Sequence, residues 1–171
     1  MEEVHVVTCF LLRQPSGRAA GPGEPDTTAR AAGPSTPLRA GPGGSGMNAE
    51  LLLLKRGKKV GSYRGRWAGV SGYMERPPLE QAYIEIAEET GLGREEVELL
   101  REGSLLAVED PALSRRWIVH PFLFLVHAPE KLRLDWEHQE ARWVNPRHLR
   151  RYRTVPGLAE ALARALPPGE R

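Results

Sequence analysis

Hydrophobic residues in this chain fall into short runs, most of which have the composition of β-strands. The runs are rich in Val, Leu, Ile and Phe and are bounded by Gly, Pro and charged residues. They predict strands at 4–12, 51–55, 67–74, 99–108, 117–126 and 141–144. Pro121 lies inside the fifth of these strands, and it indicates an edge position or a bulge there, because proline cannot donate to a sheet ladder.

Two other segments have the spacing of helices. Apolar residues recur at helical intervals over 79–90, where Pro77-Pro78 suits the start of a helix and Gly91 its end. Near the C-terminus, Asn145 is placed to cap a short helix. A longer helix is predicted after Thr154, with its apolar residues at Leu158, Leu162 and Leu166 and a stop at Pro167-Pro168. Strands with helices around them predict a layered α/β domain.

The segment 14–46 differs from the rest of the chain. It contains 8 Gly and 6 Pro among its 33 residues and no aromatic residue, so it is predicted to be a disordered insertion. We expect residues 1–13 and 47–166 to form one domain, with 167–171 as a tail, and we expect the strands before and after the insertion to form a hairpin with an enlarged turn. The alternative is a false start before Met47, which would make residues 1–46 dispensable and would discard a strand.

Composition narrows the classes of function. The 171 residues carry a net charge of +2, which argues against a strongly basic nucleic-acid-binding surface. The single cysteine, Cys9, excludes a disulfide framework and favours a reducing compartment, hence a cytoplasmic location, with Cys9 itself as a packing residue. The first residues make a poor signal peptide, and no apolar run approaches the length of a membrane-spanning helix.

The predicted helix at 79–90 carries an acidic cluster that needs an explanation. Glu85, Glu88 and Glu89 lie at i, i+3 and i+4, on a face that we expect to be turned away from the apolar stripe. Like charges at this spacing, in the half of a helix where its dipole disfavours anions, are each mildly destabilising. A solvated acidic surface is one explanation, and a site for Mg²⁺ or Mn²⁺ is the other. The spacing alone does not choose between them.

The surrounding residues resemble a known motif. The run Ile84-Glu85-Ile86-Ala87-Glu88-Glu89-Thr90-Gly91-Leu92 is similar to the second half of the Nudix box, R-E-U-x-E-E-x-G-U with U apolar, at eight of nine positions. The strand and glycines at 65–75 resemble the segment that leads into that box, and 117–126 and 136–143 resemble later parts of such domains. Two departures stand out: Ile84 replaces the box Arg, and the spacing from Gly72 to Ile84 is two residues short, without a clear counterpart of the earlier Glu.

The resemblance implies an α/β fold in which a mixed β-sheet is sandwiched between helices. It also implies a hydrolase that cleaves a phosphoanhydride bond in a nucleoside diphosphate linked to another group, with Mg²⁺ or Mn²⁺ held by Glu85, Glu88 and Glu89. The predicted catalytic residues are Glu88 and Glu89, together with a carboxylate from a distant loop. Glu137 and Glu140 are the candidates for that loop carboxylate, and Glu137 is preferred.

Phosphate contacts are predicted beside the glycine turn. Arg64, Arg66 and Gly72 are the candidate substrate-binding residues, although solvated arginines flanking a strand are an equally good interpretation. His138, next to Glu137, is a weak candidate for a substrate contact. The altered first half of the box motivates the alternative function, a nucleotide-sensing module that binds without cleaving. We expect a small nucleotide-type partner, no membrane and no nucleic acid, and the sequence leaves a homodimer open.

Overall fold

The computed structural model describes residues 1–15 and 48–169. The strands of these residues are β1 (Glu2–Arg13), β2 (Glu50–Arg56), β3 (Trp67–Ala68), β4 (Val70–Tyr73), β5 (Val97–Glu102), β6 (Leu106–Asp110), β7 (Arg115–Val126) and β8 (His138–Val144). The α-helices are α1 (Pro78–Thr90) and α2 (Leu158–Ala165), and short 3₁₀-helices occupy Arg94–Glu96, Pro111–Leu113, Pro129–Lys131 and Pro146–Arg151. The predicted insertion at 14–46 lies outside the described residues from position 16 onward, and so do the last two residues of the predicted tail.

The eight strands form one mixed sheet around a parallel pair. β1 and β7 run parallel over the whole span from Glu2↔Arg115 to Leu12↔Leu125, and the other pairings are antiparallel. The free side of β1 is shared by β4 and the end of β2, and the free side of β7 is shared by β6 and β5. β2 also pairs with β3 and β8. Within the sheet, the parallel pair is therefore flanked on both sides by shorter strands.

Strand β1 meets β2 at the two ends of the predicted insertion. Leu12 pairs with Leu51 and Arg13 with Glu50, and Arg13 Nε donates to Glu50 Oε1 at 2.8 Å. This is the antiparallel contact that the hairpin prediction requires, although each strand forms most of its ladder with other partners. Because β1 lies at the centre of the sheet, the alternative in which residues 1–46 are dispensable would remove the strand on which β7 and β4 depend.

Alternate residues of the central strands supply two separate cores. On one face, Phe10 and Leu12 of β1 pack in a cluster with Leu158 and Leu162 of α2. On the other face, Cys9 and Leu11 belong to a cluster that contains residues of α1. The period-two alternation of a strand places these two sets on opposite sides of the sheet. The predicted α/β fold, a mixed sheet between helices, is confirmed, and Cys9 is fully buried as expected of a packing residue.

The predicted helix ends are confirmed by their backbone geometry. Pro78 is the first residue of α1, and Gly91 ends the helix in a left-handed conformation with φ of 76°, its N–H donating to Ala87 O at 3.0 Å. Asn145 Oδ1 accepts from Arg147 N at 2.8 Å and caps the 3₁₀-helix that follows. Neither α1 nor α2, the α-helices of the described residues, is long and apolar enough to cross a bilayer.

The prediction of one strand over 99–108 is wrong, because the chain forms β5 and β6 with a break at Gly103. Pro121 of β7 lies opposite this break and its carbonyl accepts from Gly103 N at 2.9 Å. A Cβ at Gly103 would lie 2.4 Å from Arg164 O, so α2 approaches the backbone closely here. Pro121 is accordingly not on an edge strand: it marks the position where β7 changes partner from β6 to β5.

Candidate active site

The three glutamates of the predicted acidic cluster on helix α1 lie in three different environments. Glu88 is exposed, Glu85 is half-buried, and Glu89 is only 2% exposed. The prediction that all three lie on a face turned away from the apolar stripe is wrong for Glu89. It lies seven residues after Ala82, so two turns of helix bring it back to the buried side. A solvated acidic surface therefore does not explain Glu89.

The buried carboxylate of Glu89 has few donors and several anionic neighbours. Ser71 N donates to Oε1 at 3.4 Å, and Nε2 of His138 lies 3.7 Å from the same oxygen. Burial raises the pKa of Glu89 well above its usual range, and the charges of Glu85 and Glu137 raise it further. The carboxylate is thus held in a position where its ionised form is disfavoured unless a cation is supplied.

Glu85 is positioned by a glutamine and by a glycine. Gln81 Nε2 donates to Glu85 Oε2 at 2.8 Å, while Gln81 Oε1 accepts from Glu75 N at 3.0 Å. A Cβ built on Gly72 would lie 2.2 Å from the carboxyl carbon of Glu85, so only glycine leaves room for this carboxylate against β4. Burial raises the pKa of Glu85, and the nearby charge of Glu88 raises it further. Gly72, predicted as a substrate-binding residue, therefore also makes room for a predicted metal ligand.

The segment before β8 adds two carboxylates, and the first residue of β8 adds an imidazole. Glu137 is fixed through its backbone, because Gly57 N donates to Glu137 O at 2.9 Å. The candidate ligand atoms of Asp135, Glu137 and His138 all lie within 4.8 Å of one another. Glu140, the other predicted candidate, instead accepts from Arg142 Nε at 2.8 Å. Of the two predicted loop carboxylates, Glu137 is the one that faces the other acidic groups.

A cavity of about 500 Å³ opens beside these carboxylates. Its lining includes four of the predicted site residues, namely Gly72, Glu85, Glu88 and Glu137. The predicted Arg64 and Arg66 do not line it: Arg64 Nε donates to Val60 O at 2.8 Å and Arg66 donates to Thr154 O at 3.2 Å.

Arg56 and Arg76 are the arginines that line the cavity. Neither was predicted from the sequence as a site residue. Arg56 Nε donates to Ser62 O at 2.9 Å. Arg76 lies 3.7 Å from Glu80 in an exposed ion pair, a contact that contributes little to stability. Neither contact explains why these two cationic side chains line the cavity.

Three aromatic side chains also line the cavity, and sequence reasoning did not find this grouping. Trp117 lies between two tyrosines, with ring centroids 6.3 Å from Tyr63 and 6.4 Å from Tyr73. The Tyr63 hydroxyl donates to Asp110 and accepts from Trp117 Nε1 at 3.0 Å. Burial and the hydrogen bond to Asp110 raise the pKa of Tyr63 to about 12, so the phenol stays neutral. The aromatic wall is therefore uncharged and held by hydrogen bonds.

The donor set fits a hard divalent cation. Glu85, Glu88 and Glu89 offer carboxylate oxygens, which Mg²⁺ and Mn²⁺ prefer, and Glu137 lies near enough for its charge to act on two of them. Within the described ranges, no Lys or Arg forms an ion pair with these glutamates of α1. A bound cation would relieve the repulsion that adds to burial in raising the pKa values of Glu85 and Glu89.

Comparison with known proteins places these features in a family. The family model described as the NUDIX domain matches residues 43–165. A search of curated proteins finds no match.

Solved structures share the fold at low sequence identity. A Caenorhabditis elegans Ap4A hydrolase, solved as a binary complex, superposes with a TM-score of 0.64 at 16% identity, covering 94% of this chain and 93% of that chain. A MutT protein from Methanosarcina mazei gives 0.64 at 17% identity, covering 95% and 92%. The NUDIX domain of Shewanella oneidensis NrtR, complexed with ADP ribose, gives 0.57 at 12% identity, covering 95% and 88%.

The family match extends over most of the chain. The matched residues include α1 with its acidic run, the three aromatic residues that line the cavity, and the segment that contains Glu137. The structural neighbours, at these identities, add a shared fold. The chain therefore belongs to the Nudix family.

Proposed function

We propose that this protein is a divalent-cation-dependent hydrolase that cleaves a phosphoanhydride bond in a nucleoside diphosphate linked to another group. The observation that carries the proposal is the convergence of Glu85, Glu88 and Glu137 on one cavity that also contains arginine and aromatic side chains. Carboxylates suit the cation, arginines suit phosphate, and aromatic rings suit a planar base. The neighbours named above support this substrate class, since one is an Ap4A hydrolase and another binds ADP ribose.

In this proposal Glu85, Glu88 and Glu89 hold Mg²⁺ or Mn²⁺. The cation, when bound, neutralises diphosphate charge and lowers the pKa of a water molecule that attacks phosphorus. Glu137, whose backbone is fixed by Gly57, accepts the proton of that water. Glu88 and Glu89 keep their predicted catalytic role through the ion that they hold, and Gly72 keeps Glu85 in place.

The substrate is bound by side chains of the cavity. Arg56 and Arg76 contact the phosphate groups in place of the predicted Arg64 and Arg66, which do not line the cavity. The base stacks on the aromatic wall.

One observation favours the alternative, a module that binds nucleotides without cleaving them. Ile84 replaces the arginine of the Nudix box and lines the cavity. Loss of a charged group beside the glutamates is a change that substrate binding tolerates more readily than catalysis does. We nevertheless propose the hydrolase, because Glu85, Glu88 and Glu89 of α1 and Glu137 are all present.

A panel of candidate substrates tests the proposal. The full chain is incubated with Mg²⁺ or Mn²⁺ and with dinucleoside polyphosphates, ADP ribose and nucleoside triphosphates, and released nucleotide and phosphate are measured. We expect turnover of at least one compound and a loss of about 100-fold or more in Glu88→Gln. Glu160→Gln, an exposed glutamate of α2, is the matched control and should keep full activity. Tight binding without turnover of any compound would favour the sensing module.

A further inference from the structure

A buried histidine lies among the carboxylates, in a place where the proposed function has not used it. His138 is the first residue of β8, and its side chain is 2% exposed. Its Nδ1 lies 2.9 Å from Asp135 Oδ1, and its Nε2 lies 3.7 Å from Glu89 Oε1. The ring thus stands between two acidic side chains, one on each side.

The contact with Asp135 is fixed by local structure. Asp135 Oδ1 also accepts from Glu137 N at 3.3 Å, so the carboxylate closes the short turn that precedes β8. An ionised carboxylate accepts hydrogen bonds and cannot donate, so Nδ1 of His138 carries the proton of this contact. In the neutral imidazole the lone pair is then on Nε2, the nitrogen that points toward Glu89.

The contact with Glu89 is not a hydrogen bond. At 3.7 Å, Nε2 and Oε1 are beyond hydrogen-bonding distance, and a lone pair on Nε2 would repel the lone pairs of an ionised carboxylate. The separation of Nε2 and Oε1 suits a cation that lies between them and is coordinated by the lone pairs of both atoms. Ligand atoms of Asp135 and Glu137 lie within 4.8 Å of one of the ring nitrogens, so further carboxylate oxygens are close to the imidazole.

We propose that His138 is a nitrogen ligand of the cation, binding through Nε2, and that Asp135 is the positioning residue that orients its ring. The proposal rests on the cation site of the proposed function and adds a specific chemical property to it. Imidazole favours transition-metal ions over Mg²⁺, whereas an all-carboxylate site suits Mg²⁺. A carboxylate that accepts from the other ring nitrogen is the usual partner of a metal-binding histidine. The site therefore prefers Mn²⁺ and Co²⁺ to Mg²⁺.

Mn²⁺ alone, without nucleotide, is the probe. The full chain is titrated with Mn²⁺ by electron paramagnetic resonance, and the bound ion is examined by electron spin-echo spectroscopy for coupling to ¹⁴N of a coordinated imidazole. We expect ¹⁴N coupling in the natural protein and Mn²⁺ binding that Mg²⁺ displaces only at a large excess. His138→Asn should abolish the coupling and weaken Mn²⁺ binding by about 10- to 100-fold, while Mg²⁺ affinity changes much less.

Asparagine is chosen because its side-chain amide can keep the hydrogen bond to Asp135 while providing no atom at the position of Nε2. His138→Gln, which reverses that geometry, is the second variant. The matched control is His120→Gln, because His5 Nδ1 and His120 Nε2 lie 3.0 Å apart and this pair of histidines could itself bind Mn²⁺. The control should leave the ¹⁴N coupling and the affinity unchanged.

The proposal is overturned by bound Mn²⁺ without ¹⁴N coupling, by coupling that survives in His138→Asn, or by the absence of Mn²⁺ binding. If both His138 variants fail to fold, the natural protein and the His120→Gln control still decide, since directly coordinated nitrogen is visible without the variants. Failure of the proposed function has a different signature: ¹⁴N coupling would be present, but no compound of the substrate panel would be cleaved.

Discussion

Helices α1 and α2 lie on opposite faces of one sheet and bury very different residues. α2 buries only apolar side chains, namely Leu158, Ala161, Leu162 and Ala165. α1 buries three polar residues among five, namely Gln81, Ala82, Ile86, Glu89 and Thr90. Burial of apolar surface stabilises the fold by roughly 25 cal/mol per Å², whereas a buried carboxylate costs free energy unless it is paired. Packing alone accounts for α2 but not for α1.

The local electrostatics of α1 point the same way. Its last turn contains no basic residue, although a helix C-terminus favours cations, and Glu85, Glu88 and Glu89 repel one another. α1 departs from both of these electrostatic preferences, although its ends and its apolar stripe are regular. Such combined departures indicate that the glutamates serve a function rather than stability. The sheet face that packs on α2 therefore stabilises the protein, whereas the face that packs on α1 carries the residues of the candidate active site.

Leu162→Ala tests the stabilising face and should have the largest effect. Leu162 is buried in the core beneath α2, so its truncation removes apolar contacts and leaves a cavity. We expect a loss of about 2–5 kcal/mol in the free energy of unfolding, measured by chemical denaturation. Activity per folded molecule should stay within about twofold, because no atom of α2 lines the cavity.

The matched control for this substitution is Leu113→Ala, in a leucine that is 40% exposed. It should cost about 0.5 kcal/mol or less. A large loss of specific activity in folded Leu162→Ala would contradict the division of the molecule into two faces.

Gly72→Ala tests the chemical face with the smallest available substitution. The added methyl group would lie 2.2 Å from the carboxyl carbon of Glu85, so the carboxylate must move, and a shift of about 1 Å can lower a rate by about 100-fold. We expect kcat/KM to fall by about that factor, with unfolding free energy within about 1 kcal/mol of the natural protein. Gly61→Ala, where a Cβ meets nothing within 4 Å, should leave both quantities unchanged.

The two helices also differ in how far sequence reasoning reaches. The limits of α1 follow from apolar spacing and from Pro and Gly at its ends, which are local properties. The helix predicted after Thr154 begins only at Leu158, after Gly157. The burial of Glu89 was not predicted, because it depends on which side of α1 the sheet covers. His138 and Trp117 belong to strands far from α1 in the chain. Only the pairing of β7 and β8 with their neighbours brings Trp117 to the cavity and His138 beside Glu89.

The break at Gly103 has the same origin. Gly103 lies between β5 and β6, opposite the proline of the partner strand and close to α2, and neither contact can be read from the local sequence. Arg64 and Arg66 illustrate the reverse error, since proximity to the glycine turn in sequence did not bring them to the cavity. The spacing of residues along one helix or strand predicted that element, whereas contacts between elements could be read only from the structure.

The smallest predicted effect is a pH dependence of stability that arises from α1 alone. Because the pKa of Glu89 is raised by burial, folded protein keeps a proton that unfolded protein releases near pH 4.5. Stability of the cation-free protein must then fall as pH rises from about 4.5 through the raised pKa, since the folded state binds more protons. Glu89→Gln removes this titration, so the variant should melt at the same temperature as the natural protein near pH 4 and at a higher one near pH 8.

The gap between the two melting temperatures should be roughly 2–6 °C at pH 8 in the presence of a chelator. Groups distant from Glu89 titrate equally in both proteins, so the difference reports Glu89 together with its effect on the neighbouring Glu85. Glu160→Gln on α2, an exposed glutamate, should show no such divergence with pH. Added Mg²⁺ or Mn²⁺ should stabilise the natural protein more at pH 8 than at pH 5, because the cation binds the ionised carboxylate, and should close the gap to the variant. A gap that is constant from pH 4 to pH 8 would mean that Glu89 has the same pKa in folded and unfolded protein, and its ionised carboxylate would then be buried without needing a cation.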